Sequence, residues 1–193
     1  MTRLIVALVV FSSFKSAAQP QPSPPMTPAP STPGLSLTTA AFDDGGFIPI
    51  KYTMAAERDA VSPRLTWTNV PDGMVTFALI LSDSDTSISQ STVEIVHWMI
   101  FNIPQGTREL PEGVTGLAQL PDGSIQALNQ TERIGYMGMA AKAAGPYHHY
   151  NFELFALDTK PKVGPDATRA DLLKGMNEHI LMKGVFVGRF HLP

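Results

Sequence analysis

The 193-residue sequence contains no cysteine. Disulfides, thiolate metal centres and cysteine nucleophiles are therefore excluded, and a lipobox thiol for a lipid anchor is missing. Charge is also sparse. Only 16% of residues are charged, with 14 basic against 17 acidic and a net charge of −3. No basic excess exists to neutralise a phosphodiester backbone, so nucleic acid is not an expected partner. The apolar run at 4–14 covers about 11 residues, whereas a bilayer crossing needs roughly 20. The Gly-Lys-Ser/Thr of a P-loop, the HExxH of zinc hydrolases and the serine of a nucleophile elbow are all missing. What the chain does have is 44% hydrophobic residues, enough to build a core, so global disorder is excluded as well.

The first 18 residues have the form of a secretory signal peptide. Arg3 supplies the positive start, 4–14 the apolar run, and Ser16-Ala17-Ala18 the small residues of a cleavage site before Gln19. Removal of 1–18 would lower the basic count from 14 to 12 against 17 acids, a net charge of −5. Residues 19–34 hold 7 of the 17 prolines and no charge. Such a stretch favours extended polyproline II and cannot bury a core, so it is expected to be a disordered linker. Residues 35–193 remain as one domain of ordinary size.

Within that domain the pattern is mostly strand. Extended pieces are expected at 35–42, at 47–52 (with Pro49 arguing for an edge) and at 65–68. The run Thr-Phe-Ala-Leu-Ile-Leu at 76–81 is continuously apolar, as in a strand buried on both faces. A second central strand spans 93–103. Alternation puts Val93, Ile95, His97, Met99, Phe101 and Ile103 on one face of it, and Glu94, Val96, Trp98, Ile100 and Asn102 on the other. Residues 106–129, rich in Gly and Pro, lack periodicity and are expected to be a long loop. A third central strand is expected at 150–157 and a closing one at 185–190. A capping signal at Thr168-Arg169-Ala170-Asp171 predicts a helix, and 177–182 predicts a second short one. The class implied is mainly β and antiparallel, with short helices near the C-terminus.

The polar residues that fit a core poorly are the candidates for function. Asp83 and Asp85 follow directly on the buried strand 76–81 and belong either to a solvated turn or to a site. His97 sits mid-strand among apolar neighbours. His148 opens the strand 150–157 on the same side as Tyr150 and Phe152. Between the histidines lies a Gly- and Ala-rich loop, 135–147, whose small residues would let backbone N–H groups approach an anion.

In combination these residues resemble the phosphatidylethanolamine-binding proteins, in their bacterial Raf-kinase-inhibitor-like branch. The resemblance covers nearly all of 35–193. It is carried by Ile48-Pro49 with Tyr52-Thr53, by Ser62-Pro63-Arg64-Leu65-Thr66-Trp67 with Val70-Pro71, and by Phe77-Ala78-Leu79-Ile80. His97-Trp98 through Asn102-Ile103-Pro104, Gly135-Tyr136-Met137-Gly138, and His148-His149-Tyr150 leading into 152–158 complete it. The resemblance implies a large antiparallel sheet packed with a smaller one, plus short C-terminal helices. It also implies a ligand pocket at one end of the large sheet, formed by Asp83, Asp85, His97, Tyr136, Gly138 and His148. The family's Asp-Pro-Asp-Ala-Pro is here Asp83-Ser84-Asp85-Thr86-Ser87, and Met139 and Lys142 stand where prolines are usual, so a looser rim is expected.

The function expected is that of an exported binder, secreted or periplasmic, taking a small anion such as phosphate or a phospholipid headgroup. No catalytic residue, metal or cofactor is expected. Two alternatives stay open: an inhibitor of a protease or kinase acting through protein contact, with no target identified, and a metal-dependent hydrolase using His97, His148 and Asp83. A peripheral membrane contact and a homodimer are open too.

Overall fold

The computed structural model describes residues 33–85, 94–143 and 145–193. The expected signal peptide, the linker up to residue 32, Thr86, Ser87 and Val93 lie outside the described residues. Among those described, the strands are β1 Ser36–Thr38, β2 Gly46–Phe47, β3 Leu65–Thr68, β4 Thr76–Asp83 and β5 Ile95–Pro104. They continue with β6 Glu109–Leu110, β7 Ile125–Gln126, β8 His148–Leu157 and β9 Ile180–Phe190, and the helix α1 Arg169–Met176 precedes β9. Six strands form the large sheet in the order β2-β9-β8-β4-β5-β7, and β1-β3-β6 form the small one. All pairings are antiparallel except that of β2 with β9.

The three central strands are apolar because both of their faces are covered. Phe77, Leu79 and Leu81 of β4 pack with Trp98, Phe152, Leu65 and Trp67 into the core beneath the small sheet. Ala78 and Ile80 face the other way, onto Met99, Phe101, Phe155 and the helix residues Leu172 and Met176. All eight residues of β4 are buried in consequence. A strand with one wet face would alternate instead.

Strand β5 departs from simple alternation in two places. Leu81 pairs with Trp98 and Ser82 with Val96, leaving His97 as an extra residue; Phe77 pairs with Ile103 and Leu79 with Ile100, a second one-residue excess around Asn102. Asn102 adopts a left-handed φ of 56° at this second irregularity. Each extra residue reverses the phase. Met99 and Phe101 therefore lie in the helix-covered core, and Trp98 and Ile100 lie beneath the small sheet. The expected shared face of His97 with Met99 and Phe101 is thus incorrect.

Other expectations need adjustment. The strand expected at 35–42 shrinks to β1, and of 47–52 only Phe47 is strand, because Ile50–Tyr52 form a 3₁₀ turn behind Pro49. The stretch 106–129 contains β6 and β7, two residues each. A single helix follows Thr168, whose side chain and that of Asp171 form a reciprocal capping box. The second helix expected at 177–182 does not form. Glu178 adopts φ 66°, which ends helical geometry, and Ile180 and Met182 pair with Leu157 and Ala156. The open edge of β8 thereby captures an 11-residue β9. Among the described residues no helix is long and apolar enough to cross a membrane.

Candidate functional site

Antiparallel pairing brings the end of β4 beside the start of β8, so Asp83 lies in register with Tyr150. The His148 ring bonds the Asp83 carboxylate through Nδ1 at 2.7 Å, and their side chains are 6% and 4% exposed. The other carboxylate oxygen of Asp83 accepts the Asp85 N–H at 2.9 Å. Both oxygens are thus engaged, as burial of a carboxylate demands. With Nδ1 committed, His148 has Nε2 as the ring nitrogen without a partner among the described residues.

His97 reaches the same place because it is the extra residue of β5. Its ring stands edge-on to Tyr150 at 5.2 Å, and its Nδ1 is 3.1 Å from the Met137 carbonyl. The Met137 N–H in turn donates to the His97 carbonyl at 2.8 Å, so the 136–139 strap is held to the histidine by ring and backbone. Burial drives the His97 pKa below the ordinary 6.5. It outweighs the Met137 carbonyl and the nearby Asp83 carboxylate, both of which favour the charged ring.

The remaining expected residues play different parts. Asp85 accepts the backbone N–H of His149 at 2.6 Å and lies 2.7 Å from its Nδ1; this pair is half exposed. Burial pushes the Asp85 pKa up, but the two bonds from His149 outweigh it and the net shift is downward. Tyr136 donates its hydroxyl to the Tyr52 carbonyl at 2.6 Å and lies edge-on to Trp98. Its hydroxyl is thereby spent on anchoring the strap. Gly138 is needed for close approach, since a Cβ there would stand 2.7 Å from the Ala60 Cβ and 2.8 Å from the Met54 nitrogen. Met139, where a proline was usual, is fully buried. Its carbonyl accepts the Met54 N–H at 3.0 Å, and its sulfur lies 3.2 Å from the Tyr136 hydroxyl. Packing holds the strap at this position without a fixed φ. Asp83, His97 and His148 are therefore brought together, with Asp85 beside them and Tyr136 and Gly138 supporting the strap.

One residue of the cluster escaped the sequence reading. Tyr150 is wholly buried; the Ala140 and Ala141 backbone N–H groups approach its oxygen, but its hydroxyl hydrogen has no acceptor among the described residues. Burial and then the Asp83 carboxylate push its pKa up, so the phenol stays protonated and is a donor. The signal was available, because Tyr150 shares the strand face of His148 two residues away; its place in an apolar run disguised it. Among the described residues no group of three His, Asp or Glu side chains is disposed to hold a metal ion.

This fold has known relatives. Residues 38–191 match the model of the phosphatidylethanolamine-binding protein family. A UPF0098 protein of Methanothermobacter thermautotrophicus is 38% identical over 156 residues, covering 81% of this chain and 98% of that one. LppC of Mycobacterium tuberculosis, named as a lipoprotein, is 30% identical over 164 residues, covering 85% and 76% respectively. The crystal structure of a phosphatidylethanolamine-binding protein homologue from Chlamydia trachomatis superposes with a TM-score of 0.73 at 28% identity, covering 84% of this chain and all of that one. The chain belongs to the phosphatidylethanolamine-binding protein family, a family of binding proteins.

Proposed function

We propose that the protein is an exported, non-enzymatic binder of small anions, with phosphate or a phosphoryl headgroup held by Asp83, His97, His148 and Tyr150. The observation that carries this reading is the buried Tyr150 hydroxyl without an acceptor, next to a histidine whose Nδ1 is fixed by a carboxylate. An orphaned buried donor costs stability and is retained where a ligand supplies the acceptor. A phosphate oxygen accepts from Tyr150, and a second accepts from Nε2–H of His148, whose Nδ1 is held by the Asp83 carboxylate on the other side of the ring. His97 is neutral in the free protein near neutral pH and takes up a proton as the anion arrives. Binding is therefore linked to proton uptake. Affinity is greatest below the free His97 pKa and falls as pH rises through the histidine range. Export would rest on residues 1–18 and place the domain outside the cytoplasm or in the cell envelope.

The test is calorimetric titration with inorganic phosphate and with phosphoethanolamine, at one pH below and one above 6.5. Tyr150→Phe removes a hydroxyl whose hydrogen has no acceptor among the described residues and whose oxygen is approached by the Ala140 and Ala141 N–H groups, so stability should fall by no more than about 1 kcal/mol. Its phosphate affinity should fall by about 1.5–3 kcal/mol, the range for a hydrogen bond to a charged group. Equal affinity of Tyr150→Phe and wild type, or tighter binding at the higher pH once the ligand's own second ionisation is allowed for, refutes the reading. Phosphoethanolamine binding well above inorganic phosphate identifies a headgroup; equal binding identifies the phosphoryl group alone. Intact mass of the exported protein tests cleavage before Gln19.

A further inference from the structure

The opposite face of the large sheet carries an opening that the anion cluster does not use. While His97 and Trp98 turn toward the small sheet, Val96 and Met99 turn away from it and form part of the lining of a cavity of about 510 Å³. Leu128 lines it too, as do Ala170 and Leu173 of α1. The volume lies within the roughly 300–1,000 Å³ of small-molecule sites, and the mostly apolar lining is the usual one for an organic ligand.

Charge on the lining selects among ligands. Glu94, Asp166 and Arg169 all border the cavity. Arg169 is tied between two carboxylates, with Nη2 at 3.1 Å from Glu94 and 3.4 Å from Glu153, and Lys183 also bonds Glu153. Three carboxylates against two cations leave one negative charge. The engaged oxygen of Glu94 is Oε2, which also accepts the Ser82 hydroxyl at 2.6 Å. Its Oε1, and the whole carboxylate of exposed Asp166, accept no hydrogen bond among the described residues. The buried Nε of Arg169 lacks a partner, but the lining as a whole carries excess acid, so an ammonium group finds more acceptors beside the apolar wall than an anion finds donors.

We propose that this second cavity, formed by β5, Leu128 and the start of α1, binds a small amphipathic organic cation: an amine on an apolar body, with nitrogen toward Glu94 and Asp166 and body against Met99 and Leu173. It shares no residue with the anion cluster, so the two sites stand or fall separately.

Titration of the isotope-labelled full chain with benzylamine, followed by amide and methyl resonances, tests this. Benzyl alcohol and benzoate serve as neutral and anionic counterparts. Benzylamine should shift Val96, Met99, Leu128 and Leu173, with a Kd on the order of 1 mM, reasonable for so small a ligand. Benzyl alcohol should bind about tenfold more weakly, the ratio that one modest charged contact makes, and benzoate more weakly still. Ala170→Trp, at an exposed helix position, should fill the cavity and abolish the shifts. Asp166→Asn, also exposed, should reduce benzylamine affinity severalfold and leave benzyl alcohol unaffected. Phosphate binding should be unchanged in both variants. The proposal is overturned if benzoate binds as well as benzylamine, if Ala170→Trp still binds it, or if no probe shifts these residues.

Discussion

Replacing Asp83 by alanine removes two acceptors at once, the 2.7 Å partner of His148 and the 2.9 Å partner of the Asp85 N–H. The His148 ring stays buried and keeps a donor with nowhere to go. Loss of a hydrogen bond to a carboxylate costs about 1.5–3 kcal/mol, and an orphaned buried donor adds about 1–3 kcal/mol. Together they give roughly 3–5 kcal/mol, as for breaking a buried pair from one side. For a domain of this size, each kcal/mol shifts Tm by about 2–4 °C, so Asp83→Ala should melt roughly 6–20 °C early. Asp83→Asn keeps the volume and the acceptor for Asp85. Its amide can donate to Nδ1 of His148 once the ring proton moves to Nε2, so the loss should be only about 1 kcal/mol. The gap between the variants measures hydrogen bonding with packing held nearly constant. Urea unfolding with unchanged m-values and calorimetric melting are the assays. Equal losses for Ala and Asn, or a loss below about 1 kcal/mol for Ala, would refute the claim that this pair organises the end of the sheet.

Three further outcomes are expected. Burial lowers the His97 pKa in the folded state. The stability it contributes is therefore full above 6.5 and is lost as pH falls from 6.5 through the depressed folded value; His97→Gln should remove that part of the pH slope in urea titrations. Gly138→Ala should force the strap away from Met54 and Ala60, costing about 1–3 kcal/mol as overpacking does, and phosphate affinity should fall with it. Gln126 accepts the Trp98 indole N–H at 2.7 Å and donates to the Thr115 and Leu117 carbonyls. Gln126→Leu strands those groups and should destabilise by about 1–3 kcal/mol in urea unfolding; a neutral effect would show that water replaces the amide.

Legibility from sequence followed the range of the interactions involved. Strand β4 was readable because covering on both faces leaves an unbroken apolar run, and α1 because its capping box is local. Ile180 to Met182 suit helix or strand equally; the unpaired edge of β8 decided the matter, and no local pattern records it. Strands β6 and β7 have two residues each, too few to show a period. In β5, alternation placed His97 and Ile103 relative to each other correctly and misplaced Trp98, Met99, Ile100 and Phe101 between them, because two phase reversals cancel at the ends. That Asp83 and His148 share one pocket was implied by the family resemblance; that they bond directly rests on the adjacency of β4 and β8, which no local pattern records. Nor does any record the engagement of the Tyr136 hydroxyl by Tyr52, 84 residues away.

The first of those reversals bears on how such a protein could lose its function. His97 has no Cα partner on β4, whereas Trp98 and Val96 on either side of it do. Deleting its codon would close the ladder into an uninterrupted strand, with every other pair from Ile95–Asp83 to Ile100–Leu79 retained. The histidine is the one residue in this part of the strand that the sheet can do without. Such a deletion keeps the ladder but removes both the ring and the carbonyl that bond Met137, so the strap loses its anchor on β5. Regaining the site would require an insertion at one position, carrying one particular amino acid.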